Sequence, residues 1–533
     1  MADPTYTVGG IKQCYTRLEP KRRPFLERAR ASASLTIPSL MVPEGHNAHS
    51  VLPTPWQGLG ARGTNNLTAK LLLALLPPNA PFMRFRVDAA TLRELDAEGD
   101  IKTAVENALQ EAEGVIMQEI ETDAVRVPTY EVLRQLLVAG NVLLYFAPEG
   151  GLQVYRLDSF CVVRDNKGNV LEIVTKEQVS PLMLDEEVRE LVGNSGMSGL
   201  PSENGNAEYP EWTVYTRVCR HVSRRGNVVW REEKEINGVP IPGSVATYPI
   251  DNSPWLALRF QRIDGESYGR GYVEEYIGDL RSLEGLTQAI VEGSAAAAKV
   301  LFLVNPTGVT KQKDVANSPN GAVREGRADD VTVIQMQKFN DFRVAQQTMQ
   351  SIADQLMASF LMNSSVQRDA ERVTAEEVRL MAGELQDALG GVYSILSIEF
   401  QLPLVRIYMD RLRKQGRFPK FPKVKGKEIV NPIITTGLEA LGRGHDLGKL
   451  RGLIEDVAVV AKAQQMWPRM KGETWVQRLA TARGIDVSDL FLSDEEYQAV
   501  QQQQQMAKLA EKAAAPVAGA MAKGMVPDQA QGQ

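Results

Sequence analysis

The chain has 533 residues, 43% of them apolar and 24% charged, and a net charge of −6. That length sets an expectation of about three to four compact units, and the composition excludes collagen-like and wholly disordered classes. The acidic balance argues against tight, phosphate-driven grip on duplex DNA, which needs a cation for each contact, yet it permits loose enclosure of DNA.

The N-terminal stretch MADPTYTVGG has no basic region followed by an apolar core, so a signal peptide is not expected. The strongest apolar run, Leu71 to Leu76, is too short to span a bilayer. Cys14, Cys161 and Cys219 are odd in number and widely spaced, which gives no disulfide framework or zinc pattern and points to synthesis in a reducing cytoplasm.

In chain order, residues 11–42 are basic and polar with helical character. Residues 57–76 read as a helix stopped by Pro77-Pro78, and 91–122 as a long charged helix. A helix over 129–139 ends at Gly140. The period then changes. VLLYF (142–146), LQVYRL (152–157), CVVR (161–164), VLEIVT (170–175), WTVYTRV (212–218) and NVVWREE (227–233) read as strands. Asn166-Lys167-Gly168 and Arg225-Gly226 supply turns, and the Gly/Ser/Asn stretch 193–208 reads as a mobile loop.

Helical spacing returns at 268. Val273, Ile277, Leu280, Leu283, Leu286 and Ile290 recur at three and four. A single helix over 268–298 would be about 45 Å long, longer than a globular core needs. LFLV (301–304) follows as an apolar strand, 306–329 is turn-rich, and 343–362 is a second helix. A third opens at Thr374, with Glu377 completing a capping box and Val373 and Val378 a staple. Its stripe runs Val378, Met381, Leu385, Leu389, Val392, Leu396, and Gly390-Gly391 and Pro403 should bend or break it. Shorter helices follow 430. The QQQQQ run (501–505) leads into a tail with little to bury, expected to be disordered from about 510.

Enzyme-like motifs have structural readings beside them. Gly58-Leu59-Gly60-Ala61-Arg62-Gly63 fits G-x-G-x-x-G, but Pro53-Thr54-Pro55-Trp56-Gln57 precedes it where a dinucleotide site needs an apolar strand. Tight packing at a helix start is the better reading. Gly265-Glu266-Ser267-Tyr268-Gly269 fits G-x-S-x-G between a strand (256–263) and a helix. That strand carries Arg259, Gln261 and Arg262 and reads as an edge or surface strand, and His445 is the only downstream histidine. A turn that launches the long helix is preferred to a nucleophile elbow. His46 and His49 lie in a Pro/Gly-rich loop without further ligands, and no G-x-x-x-x-G-K-[ST] loop exists for ATP. No catalytic residue, metal or cofactor is expected, and the chain reads as a structural subunit that assembles with copies of itself.

The segments TPWQGLGARGTNNLTAKLLLALLPP (54–78), LLVAGNVLLY (136–145), DGESYGRGYVEEYIGDLRSLE (264–284), NSSVQRDAERVTAEE (363–377), LGGVYSILSIEFQLPLVR (389–406) and TTGLEALGRGHDLGKL (435–450) resemble, collinearly over residues 10–500, the head-to-tail connector or portal proteins of short-tailed bacteriophages. The resemblance implies an α+β, mainly helical fold with wing, helical stem, clip and crown, assembled as a dodecameric ring at one capsid vertex. It places the N-terminal wing with its β-rich part at 1–265, stem and clip or channel region at 266–345, the long wing helix at 346–430 and the crown at 431–500, with 501–533 as the tail. It implies duplex DNA in the channel, held weakly and without sequence preference. It also implies a terminase that docks and leaves, tail adaptors that replace it, capsid and scaffolding proteins as neighbours, no membrane, and a place in the virion. Arg368, Arg372, Arg343 and Lys338 are the candidate DNA-channel cations; for Arg368 and Arg372, pairing with Asp369 and Glu371 is the plainer reading. A serine hydrolase using Ser267 and a scaffold or filament without a channel are the alternatives.

Overall fold

The computed structural model describes residues 10–436, apart from 87–98, 194–211, 363–382 and shorter breaks, all within the unit Met1–Leu441. The helix opening at Thr374, the loop over 193–208, the helices after 430 and the tail lie largely or wholly outside the described residues.

Helix α1 (Ile11–Ser34) starts on a carboxylate of the later sheet: Glu235 accepts from the backbone N–H of Ile11 and, at 3.3 Å, of Lys12. The first N–H groups of a helix have no partner within it, so this side chain caps the end. Pro20 and Pro24 sit inside α1 and both are exposed. Each removes a helical hydrogen bond, but on the outer face, where water takes the freed carbonyl. The inner face carries one buried charge. Buried Arg22 donates through Nη1 to the Tyr15 hydroxyl and to the carbonyls of Asp158 and Phe160 at 2.8–2.9 Å.

Helix α2 (Leu59–Leu75) fits the 57–76 expectation. Glu284 accepts from the N–H groups of Trp56 and Gln57, and the Gln57 side chain accepts from Gly60. At its far end Tyr393 and Gln401 donate to the carbonyls of Ala74 and Leu75, which have no helical partner. Strand β1 (Met83–Arg86) and helix α3 (Gly99–Thr122) follow, then α4 (Arg126–Ala139). Gly140 ends α4 with φ +71°, and a Cβ there would lie 2.4 Å from the backbone of Arg270 and Gly271. Only glycine fits both the angle and the approach.

Strands β2 to β10 form two antiparallel sheets. In the first, β10 (Trp255–Arg259), β2 (Asn141–Phe146) and β3 (Leu152–Tyr155) pair in that order. The second runs β4 (Phe160–Arg164), β5 (Val170–Val179), β6 (Trp212–Val222), β7 (Val228–Ile236), β8 (Val239–Pro240), with β9 (Ala246–Pro249) also on β7. Between β5 and β6 the sequence reading missed a short helix, α5 (Glu186–Gly193). Strand β10 is an edge by pairing, as expected, but it is not a surface strand: Leu258 and Arg259 are buried. The loop after it folds back, bringing Gly269 against the Arg259 side chain.

The long helix begins later than 268 and is interrupted. Residues 268–271 are committed elsewhere, through a bridge between Gln261 and Arg270 and paired hydrogen bonds between Asn141 and Gly269. Helix α6 (Tyr272–Glu275) then breaks at Tyr276, whose N–H turns back to Val273. Helix α7 (Ile277–Ala297) continues for 21 residues, or about 31 Å. Strand β11 (Leu301–Val304), a short helix α8 (Gln312–Ala316), strand β12 (Val331–Ile334) and helix α9 (Phe339–Ser359) complete this region.

Gly391, at φ +91°, precedes α10 (Val392–Leu396). A π-helical turn, Ser397–Gln401, joins α10 to α11 (Leu402–Lys414) just before Pro403. The extra residue per turn absorbs the hydrogen bond that proline cannot make. Short strands β13 (Lys423–Val424) and β14 (Lys427–Glu428) pair, and β15 (Ile433–Thr436) returns to pair with β1. The main core lies among α2, α3, α4, α11 and the three-stranded sheet, with Leu67, Leu71, Leu136, Leu143, Tyr393 and Leu404 buried in it.

Candidate functional site

The feature that does not serve this core is the pair α7 and α9. They run antiparallel in one register. Tyr276 stacks near Phe360, the Thr287 hydroxyl meets Met349 Sδ at 3.7 Å, and Gly293 faces the Phe342 ring. The ladder β11–β12 continues the same register, Leu301 opposite Ile334 and Val304 opposite Val331. Glycine at 293 lets the Phe342 ring lie against the helix backbone, since a Cβ would come within 2.5 Å of it. The result is a helical rod closed at its end by a β-hairpin.

The apolar stripe read from the sequence is present and the chain covers it only in part: Val273, Leu280 and Leu283 are buried, and Ile277, Leu286 and Ile290 are half-buried. On α7 only Leu280 and Leu283 are buried, and among the described residues of α9 only Leu356. Leu286, Ile290, Met349 and Ile352 are half-buried, Val291 is 47% exposed and Val344 61%. The outer face of α9 is charge-poor: Gln346, Gln347, Gln350, Ser351 and Gln355 are exposed beside Asp354 and Arg343.

The loop between β11 and β12 is shaped by Asp330. Its carboxylate accepts from the N–H groups of Val309 and Thr310 and from the Thr310 hydroxyl at 2.9–3.1 Å. The hydrogen bonds from Thr310 hold this carboxyl below the usual range. The loop presents apolar side chains outward, with Val309 71% and Val323 98% exposed.

Arg343 lies exposed near the start of α9. Lys338, Arg368 and Arg372 lie outside the described residues. The strand Val331–Ile334 was missed in the sequence because its four residues follow a polar, turn-rich stretch. LFLV alone was legible, and its partner becomes apparent only through the hairpin.

The enzyme-like motifs act as packing devices. Gly60 lies against the Leu35 carbonyl and Gly63 against the Phe360 ring, where a Cβ would come within 2.5 and 2.7 Å. In GESYG, the Ser267 carbonyl accepts from Arg164, Tyr268 is buried with its hydroxyl accepting from Val162 N–H, and Gly269 is stitched to Asn141. His46 bonds to Ser50. Among the described residues, no group of three or more His, Cys, Asp or Glu side chains is placed to hold a metal ion, and no helix is long and apolar enough to cross a membrane.

Residues 8–491 match the sequence model of a family described as bacteriophage head to tail connecting protein. The portal protein of Enterobacteria phage T3 is 44% identical over 511 residues, covering 95% of this chain and 92% of its own. That of Escherichia phage T7 is 42% identical over 518 residues, covering 96% and 94%. That of Pseudomonas phage phiKMV is 32% identical over 494 residues, covering 91% and 93%. Among solved structures, a chain in the neck of an empty GTA particle aligns with 68% of this chain and 86% of its own, at 14% identity and a TM-score of 0.29.

Proposed function

Because this chain belongs to the bacteriophage head-to-tail connecting protein family, we propose that its copies close into a dodecameric ring around a channel for double-stranded DNA. The chain functions as a phage portal, the connector between head and tail. In this reading the ring sits at one vertex of the virion. DNA enters through it during packaging and leaves through it during ejection. A terminase docks first, tail adaptors follow, and capsid and scaffolding proteins surround the ring. ATP hydrolysis belongs to the terminase.

The α7–α9 rod carries the ring reading. A long helix pair with an apolar stripe left half-covered has a surface that a neighbouring copy can bury. Helix α7, the β11–β12 hairpin and the start of α9 are assigned to the stem and clip region, 266–345. The β-rich wing is assigned to 1–265, the long wing helix to 346–430 and the crown to 431–500, followed by the tail. The charge-poor face of α9 suits a wall that DNA must pass without sticking, with Arg343 as a transient phosphate contact. Lys338, Arg368 and Arg372 are proposed as further contacts of this kind.

Electron microscopy of the purified chain with subunit counting tests the reading. Closed twelve-membered rings are expected; open filaments, or monomers at high concentration, would sink it. Arg343→Ala, Arg368→Ala and Arg372→Ala should leave rings intact and alter packaging or retention of DNA. Loss of rings would move those residues to the subunit interface.

A further inference from the structure

The six-stranded sheet carries two unlike surfaces on its opposite faces. Successive residues of a strand point to opposite sides. Tyr215, Cys161 and Val174 pack under Ile11, Cys14, Tyr15 and Leu18 of α1. Their strand neighbours on the other side, Val214 and Ile236 with Trp212, pack under Val192 of α5. Helices α1 and α5 therefore cover opposite faces.

The outer ridge of α1 is basic. Arg17 and Lys21 are exposed there beside Pro20 and Pro24, with Lys12 and Arg23 exposed on the other flank of the helix. Arg23 pairs with Glu27, and Glu19 with Arg22. That leaves the charges of Lys12, Arg17 and Lys21 uncompensated among the described residues. The α5 side is acidic around an apolar knob. Leu182 and Met183 are 60% and 81% exposed, and Leu191 is 39% exposed. Asp185, Glu186, Glu187 and Glu190 surround them, all exposed, with half-buried Arg189 the one cation of the helix.

A head-to-tail contact in a ring needs two different, complementary patches on one subunit, directed to different sides. We propose that the α1 ridge of each subunit docks on the α5 knob of its neighbour. Leu182 and Met183 lie against Pro20, Pro24 and the Lys21 stem, and the carboxylates of α5 face Arg17 and Lys21. The occupant is a second copy of this chain, since the charges of the two patches match within one sequence. This contact rests on the ring reading and adds a salt-sensitive seam to the one along the rod.

Charge reversal tests it, because every residue exchanged is exposed. In Glu186→Lys/Glu187→Lys and in Arg17→Glu/Lys21→Glu, rings at moderate salt should persist only at about tenfold higher protein concentration than wild type, as measured by mass photometry. Both pairs combined in one chain should restore wild-type behaviour. Unchanged rings in either double variant, or a combined variant no better than each alone, would overturn the seam while leaving the ring. Wild-type protein that forms no closed ring would overturn both.

Discussion

The core around α2 and α4 and the rod of α7 and α9 are built from similar apolar residues at the same helical spacing, yet they end in different states. Around α2 the stripe is covered, with Leu67, Leu71, Ala74 and Leu75 fully buried beneath α4 and α10. Along the rod it is covered on one side only. Periodicity therefore reports that a helix has an apolar face. It does not report whether that face is satisfied within one chain or between chains.

The sharpest way to break this comparison is to truncate one leucine in each region. Leu71→Ala should cost about 2–5 kcal/mol of chain stability, because its site is fully enclosed and a cavity remains. Leu286→Ala should lower the melting temperature of dissociated chain far less and act on assembly instead. Equal loss in both, read by thermal unfolding of dissociated chain, would show that the rod is a core like any other. Gly140→Ala comes next. A left-handed φ and a backbone approach of 2.4 Å together should cost roughly 2 kcal/mol or more, visible as a lowered melting temperature. Val291→Ser with Val344→Ser should shift unfolding of the dissociated chain by less than about 0.5 kcal/mol. The same pair should weaken rings, and indifference of both readouts would remove these side chains from the interface.

The smallest effect concerns Cys161, enclosed between α1 and the sheet, where burial pushes the thiol up to about 11. A raised thiol pKa keeps the group neutral through pH 8 and makes it a nucleophile only as pH climbs toward that value. Thiol reagents should label Cys161 in native protein slowly at pH 8, faster with rising pH, and at once after denaturation. Rapid native labelling at pH 8 would show that α1 opens.

Much of this fold was legible. Gly140 as a helix stop, Pro77-Pro78 after α2 and the six strand segments all fell where local chemistry put them. The break at Tyr276 was not legible, because it arises from what Gly269 and Gly271 touch across the fold: Asn141 and the carbonyls of α4. Helix α5 was missed because it is short and stands on a satellite cluster of its own, with Val192 on Trp212. Of the candidate site, the stripe on α7 was read directly. The hairpin partner Val331–Ile334 is four residues long and has meaning only opposite Leu301–Val304. The resemblance carried the rest, since neither charge nor spacing states that copies close into a ring.

The rod is pinned at both ends, by the stacking of Tyr276 on Phe360 at its base and by four paired residues of the β-ladder at its tip. Sliding α7 past α9 by even one residue would break the ladder register and pull Phe342 off Gly293. The two helices are therefore mechanically one strut. A push on the hairpin travels to the base without shearing, and the strut yields by tilting about Tyr276, where the helix is already broken.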